Sequence, residues 1–254
     1  MKSFLGLACL ALVLAACTQT ESPAPMALEY PDRPDALKPA TPVFTWPGSW
    51  EYRLDEPSEE LVVTGDSAVA DPDVYFTNMT PGWHVTMNHA AGIFWHPSST
   101  AEGDYQASAN IYLFNPGDLN EGYGIIVGGS DLAGDDQRYL YFLARRTGEF
   151  LVKERKADRT SVVVDWTANA AVAAWTPESV GNIENNFSVQ VSGDMVSFIL
   201  NGTVVHSMEK GTLPLDGIVG LRLNHATNVH VSSLTVAMGS DEMAADSTMA
   251  MATN

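Results

Sequence analysis

The chain has 254 residues, of which 31 are acidic and 13 basic, giving a net charge of −18 at neutral pH. A surface so acidic repels phosphate backbones and anionic headgroups, which argues against nucleic acid as a partner and against membrane binding through a basic face. The two cysteines, Cys9 and Cys17, cannot supply a disulfide framework, so the fold has to stand on its own core.

The N-terminal stretch MKSFLGLACLALVLAAC joins Lys2, an apolar run from Phe4 to Val13 and the small-residue step Leu14-Ala15-Ala16-Cys17. The run is shorter than the roughly 20 residues a membrane span needs, and its flanks are those of a secretory signal. LAAC resembles the lipobox of bacterial lipoproteins. The resemblance implies cleavage after residue 16, lipid on Cys17 as the new N-terminus, and a place in the cell envelope where the membrane is met through that lipid. Thr18, rather than Asp, follows the cysteine, which in proteins of this type implies the outer membrane where the host has one. Residues 17–42 carry six prolines between Pro23 and Pro42 and read as an extended tether. The folded body is expected over 43–238, and 239–254, with small residues, Met and acids but no aromatic, reads as a disordered tail.

The body alternates with period two and offers no long amphipathic helix. Strands are expected at Trp83–Met87, at 91–95 and at 104–114, where Tyr105, Ala107, Ala109, Tyr112 and Phe114 share a face if a bulge falls between Ala109 and Tyr112. Further strands are expected at 124–128, 139–144, 150–153 and 161–166. Phe187, Val189 and Val191 form one face, Gly193-Asp194 turns the chain, and Val196, Phe198 and Leu200 form the next face. Asn201-Gly202 is a strong hairpin signal, because both central positions of that turn want positive φ. Strands at 218–223 and 229–236 close the body. Short strands with turn signals every 8–12 residues point to an all-β sandwich of two antiparallel sheets.

The run NNFSVQVSGDMVSFILNGTVVHS with LPLDGIVGLRLNHATNVHVSSLTV resembles the C-terminal half of the concanavalin A-like (laminin G-like) jelly roll. It is most similar to a bacterial group of 3-keto-disaccharide hydrolase-like domains, and WHVT, GIFWHP and GDYQASANIYLF resemble that group's opening strands. The resemblance spans about residues 80–237 and implies a sandwich that handles saccharide on a concave sheet. The fold itself hosts lectins, glycosidases, lyases and inert adhesion modules, so chemistry has to be argued from side chains.

Retaining glycosidases need two carboxylates about 5–5.5 Å apart, and jelly-roll glucanases carry theirs as Glu-x-Asp-x-x-Glu on one strand. The chain has no such motif, and Glu149 and Glu154, separated by FLVK, face opposite ways on a regular strand. The weak acid/base candidates are Glu121, Asp165 and His225. Asp131, Asp135 and Asp136 share the loop SDLAGDDQ, which reads as a solvated turn, with calcium as the alternative. No other cofactor is expected. His225 and His230 flank a short turn and are close enough in sequence to meet across a hairpin.

The cations are more informative. Seven of the thirteen fall between Arg138 and Arg159. Tyr139, Tyr141 and Arg145 have one parity, and Lys153 and Arg155 have one parity on the strand beyond the Thr147-Gly148 turn. Together with Trp166 they read as a solvated face holding aromatic rings for pyranose C–H groups and polar groups for hydroxyls. Internal pairing with Glu149, Glu154 and Asp165 is the alternative. Tyr123 and Glu121 are expected at the mouth of the same surface. Three functions follow: a lipid-anchored glycan-binding domain, a glycoside hydrolase or lyase, and a non-catalytic structural or protein-interaction surface lipoprotein.

Overall fold

The computed structural model describes residues 44–239 apart from 57 and 59; the expected signal segment, tether and tail lie outside the described residues. All regular elements among them are strands. The first six are β1 (Glu51–Leu54), β2 (Val63–Thr64), β3 (Val74–Asn78), β4 (Trp83–Met87), β5 (Gly92–Ala101) and β6 (Tyr105–Phe114). The middle of the chain forms β7 (Gly122–Ser130), β8 (Arg138–Arg145), β9 (Glu149–Lys156) and β10 (Arg159–Ala168). Then come β11 (Asn182–Ser192), β12 (Met195–Leu200), β13 (Thr203–Glu209), β14 (Gly217–Leu223) and β15 (Thr227–Met238).

They build two sheets, a seven-stranded one ordered β1-β5-β14-β7-β8-β9-β10 and an eight-stranded one ordered β13-β12-β11-β6-β15-β4-β3-β2. Apart from the parallel β2–β3 contact the pairings are antiparallel. The inner faces meet in one apolar core. Phe142 from β8 packs edge-on against Phe150, Phe187 and Phe198 at ring distances of 6.1, 5.6 and 5.3 Å, and so joins both sheets. Edge-to-face pairs of this kind add to the hydrophobic gain from burying the rings.

The expected strands are found, most of them longer than the apolar pattern alone indicates. Asn201 and Gly202 have φ of 51° and 78° and turn β12 into β13. The bulge expected in β6 is absent. Its burial alternates without interruption, with Ile111 and Leu113 inward beside Ala107 and Ala109, while Tyr112 and Phe114 face outward. The irregularity sits instead in the partner strand β15, between Val231 and Ser233. Apolar residues on both faces of β6 made the two phases hard to separate by composition. Tyr123 also departs from expectation. It points inward, fully buried, where its hydroxyl accepts a hydrogen bond from the Asn185 side-chain amide at 2.9 Å.

His225 and His230 do not meet. His230 lies opposite His84 across β15 and β4, and the two are buried at 0% and 2% exposure. Burial pushes both imidazoles down to about 4, and for His84 the neighbouring His230 adds to the effect. The folded values therefore lie below the unfolded value near 6.5, so the unfolded chain takes up protons first as pH falls. This stabilising contribution is fully present above about pH 6.5 and is lost progressively towards pH 4. Between pH 7 and pH 5 the expected loss is about 2 kcal/mol per histidine, in a window above the one where depressed carboxylates titrate. Urea unfolding at the two pH values measures it, and His84→Gln should flatten the slope. An unchanged slope in that variant would show that the imidazole is not the titrating group.

Candidate functional site

Strand alternation gives the seven-stranded sheet an outer face as well organised as its inner one. One transverse row across six strands is Arg53, Ile93, Arg222, Gly124, Leu143 and Leu151. The next row is Glu51, Trp95, Gly220, Ile126, Tyr141, Lys153 and Val162. Tyr139 and Arg155 stand opposite each other on one side of these rows, and Arg145 and Glu149 on the other. Ile93, Trp95, Ile126, Tyr139, Tyr141, Leu143 and Leu151 make a second, smaller apolar cluster here, separate from the core.

Two features cover part of this face. The loop after β7 turns back on it, burying Leu132 in the cluster, while Arg53 Nη1 donates to the Gly134 carbonyl at 2.6 Å. At the other side, β10 is irregular between Val164 and Thr167, and Trp166 joins the cluster. β10 stands three strands from β7, yet a Cβ on Gly122 would lie 3.2 Å from the Trp166 ring and 2.9 Å from a Leu143 methyl. The end of β10 thus folds over the face, and glycine at 122 makes room for the indole.

The expected ligand residues share this face but not its exposure. Tyr139 is 1% exposed and Tyr141 8%, so the tyrosines form the floor of the surface; they are not open platforms. Burial pushes the Tyr141 hydroxyl up to about 12 and raises that of Tyr139, and both stay protonated at neutral pH. Arg145, Lys153 and Trp166 are partly exposed. The Arg145 guanidinium lies 4.3 Å from the Trp166 ring centroid, and its Nε and Nη2 each donate to Glu149 Oε2 at 2.7 Å. Those hydrogen bonds, with one from the Thr147 hydroxyl, hold the Glu149 carboxyl below its usual range.

The central charge of the face is Arg222. Its Nη1 and Nη2 donate to the two Asp55 carboxylate oxygens at 2.6 and 2.5 Å, and its Cζ lies 5.7 Å from the Tyr141 ring centroid. Gly124 and Gly220 are its cross-strand or same-strand neighbours on this face and carry no side chain to displace it. Burial by itself would raise the Asp55 carboxyl, but the hydrogen bonds and charge of Arg222, with Arg155 and Arg53 adding to the field, hold it below the ordinary range. Asp55 is thus an anion at neutral pH and no proton donor. Neither Asp55 nor Arg222 stands out in the sequence. The available signal was parity: an arginine between the buried Leu221 and Leu223 has to face the other side of β14.

The acid/base candidates fall into two places. Glu121 and His225 come together, with His225 Nε2 3.2 Å from Glu121 Oε1, and Asn224 Nδ2 donates to Glu121 Oε2 at 3.2 Å. Asn224 Oδ1 also lies 3.4 Å from Arg222 Nη2, so this pair adjoins the Asp55–Arg222 pair. Asp165 is apart from them, exposed, its carboxylate accepting the Trp166 backbone N–H at 2.8 Å. Glu149 and Glu154 face opposite ways as expected, the second paired with Arg138 at 2.8 Å. In the acidic loop, the Asp131 carboxylate accepts the Asp136 N–H at 3.0 Å, and Asp135 and Asp136 are exposed. Among the described residues no three His, Cys, Asp or Glu side chains are placed to hold a metal. Cys17 lies outside the described residues.

No protein-family model matches the chain, and no curated protein matches it in sequence. Solved structures match in fold. A Bacillus subtilis protein of unknown function with a galectin-like fold matches with a TM-score of 0.51 at 10% identity, over 74% of this chain and 88% of that one. The carbohydrate-binding module CBM66 from Bacillus subtilis matches with a TM-score of 0.50 at 9% identity, over 74% and 95% of the two chains. The exoplasmic/lumenal domain of VIP36, solved in a Ca2+/Man3GlcNAc-bound form, matches with a TM-score of 0.50 at 8% identity, over 77% and 87%. At such identities the likeness is one of fold, and the fold is the concanavalin A-like jelly-roll sandwich that the sequence resemblance implies.

The Arg222 pair makes a prediction about stability. Asp55→Ala leaves a buried guanidinium without its carboxylate and should cost about 2–4 kcal/mol, below the figure for an interior pair because Asp55 is partly exposed. The double variant Asp55→Leu, Arg222→Met should recover much of that loss in urea unfolding. A double variant no more stable than Asp55→Ala would show that the pair holds the strands by more than charge compensation.

Proposed function

We propose that the chain is a non-catalytic saccharide-binding domain whose ligand lies on the outer face of the seven-stranded sheet. The observation that carries this is the company kept by Trp166: a partly exposed indole folded over the sheet, with Arg145 against its ring and Lys153 and Arg155 on the neighbouring strand. An aromatic surface beside convergent hydrogen-bond donors suits a ring that offers C–H groups on one side and hydroxyls at its edge. The fold supports the same reading. Of the structures it matches, one is a carbohydrate-binding module and another holds Man3GlcNAc. Two carboxylates of this surface, Glu149 and Asp55, are each held ionised by an arginine, which suits binding better than proton donation.

A glycan array followed by calorimetry on the best hit tests this. Trp166→Ala should weaken binding at least about tenfold, a loss of about 1.4 kcal/mol, with the thermal midpoint followed in parallel. Release of reducing sugar from the same ligand would instead favour turnover, and Glu121 and His225 would then be the residues to replace first. Binding that survives Trp166→Ala unchanged would move the ligand off this face.

We further propose that the domain works at the cell envelope, exported by the signal at residues 1–16 and anchored by lipid on Cys17, with the outer membrane as its place where the host has one. The proline-rich stretch over 17–42 would then act as the tether between lipid and sandwich. Cys17→Ser should move the protein from the membrane fraction to the soluble one. Its retention in membranes would disprove the anchor without touching the saccharide proposal.

A further inference from the structure

We propose that the saccharide taken by this face is an anionic one, bearing carboxylate or sulfate groups, and that Lys153, Arg155 and Arg53 receive its charge. This rests on the outer face being the saccharide site. In a chain of net charge −18 with thirteen basic residues, Arg53, Arg145, Lys153, Arg155 and Arg222 all stand on the outer face of one sheet. Two of the five are neutralised, Arg222 by Asp55 and Arg145 by Glu149. The other three make no ion pair among the described residues.

Two of those three are nonetheless held in place. Arg155 Nε donates to the Ala157 carbonyl at 2.8 Å, and Arg53 Nη1 donates to the Gly134 carbonyl at 2.6 Å. A carbonyl orients a guanidinium without cancelling its charge, and it leaves further N–H groups on each arginine for a planar, two-oxygen partner. Lys153 stands between Tyr141 on β8 and Val162 on β10, partly exposed, with Val162 54% exposed. The excess of positive charge is felt at the centre of the face, where Arg155 and Arg53 act on Asp55 and Tyr139 in addition to Arg222.

The remaining acids nearby do not restore the balance. Glu51 is exposed on the edge strand β1, in the row of Trp95. Asp131, whose loop supplies the carbonyl for Arg53, has its carboxylate turned to its own backbone, and neither Asp135 nor Asp136 forms an ion pair with Arg53. Carboxylates alone would offer such cations their ordinary partners, and a chain with 31 acidic residues has many to offer. That three cations on one face have none among the described residues matches a surface whose counter-charge arrives with the ligand.

The test compares three oligosaccharides of equal length by calorimetry: a uronate oligomer, the same oligomer with its carboxyls reduced to the neutral sugar, and a sulfated neutral oligomer. The expected result is that at least one anionic ligand binds roughly tenfold or more tightly than the neutral one, and that raising salt from low to high narrows the gap. Preference between the uronate and the sulfate identifies the anionic group. Lys153→Gln and Arg155→Gln should each weaken the anionic ligand roughly tenfold and leave the neutral one nearly unchanged. Lys156→Gln, exposed on the same strand but with the opposite parity, should do neither, and thermal midpoints confirm that the variants are folded. Equal binding of neutral and charged forms, or indifference of the anionic ligand to both substitutions, would overturn the anionic assignment while leaving a saccharide site. Failure of every ligand, together with an empty glycan array, would overturn the site itself.

Discussion

The outer face of the seven-stranded sheet depends on one buried guanidinium. Arg222 lies among tyrosines and aliphatic side chains on a surface that has no second sheet over it, and it is tolerable there because Asp55 meets it with both oxygens. A charge so placed has few alternatives. Without a fixed anion it would have to draw in water, and the tyrosine floor would not pack. The pair also joins parts of the chain 167 residues apart, the end of β1 and the end of β14, and through Asn224 it reaches Glu121 and His225. The order of that end of the sheet is set by a polar interaction, whereas the core beneath it is set by aromatic packing.

Strand alternation explains why the two coexist. β8 sends Leu140, Phe142 and Ala144 into the core and Tyr139, Tyr141, Leu143 and Arg145 outward. A strand apolar on both faces normally belongs to a sheet covered on both sides. Here the second cover is partial, made by Leu132 from one side and Trp166 from the other. What lies between is a surface with an apolar floor and charged walls, unlike an ordinary solvated sheet face.

Much of this was legible in the sequence, within clear limits. Short-range rules carried the strands, the Asn201-Gly202 turn and the shared parity of Tyr141, Arg145 and Lys153, because alternation and turn chemistry act over a few residues. Burial of Tyr139 was not legible, since it depends on Leu132 folding back from a loop that reads as merely acidic. The role of Asp55 was not legible either, since its segment precedes the part that resembles the jelly roll and its partner, Arg222, lies 167 residues along the chain. The acidic loop itself is an organiser: Asp131 holds φ at 46° and caps its own turn, a role available to aspartate without any metal.

The clustering of cations between Arg138 and Arg159 pointed to a function but mixed two kinds of residue. Strand parity separates them. Arg138 and Lys156 face away from the site, and Arg138 is taken up by Glu154. Arg145 serves the sheet through Glu149 and the Trp166 ring. On the outer face Lys153 and Arg155 are what remains of the cluster, joined from the far edge by Arg53, while Arg222 in the floor is matched by Asp55. On this face the two cations that serve the fold each have an acid of their own, Arg222 with Asp55 and Arg145 with Glu149, and the other three have none among the described residues. A local field of that sign repels cations and concentrates small anions, which is the physical ground for the anionic ligand proposed above and one that the fold alone leaves open.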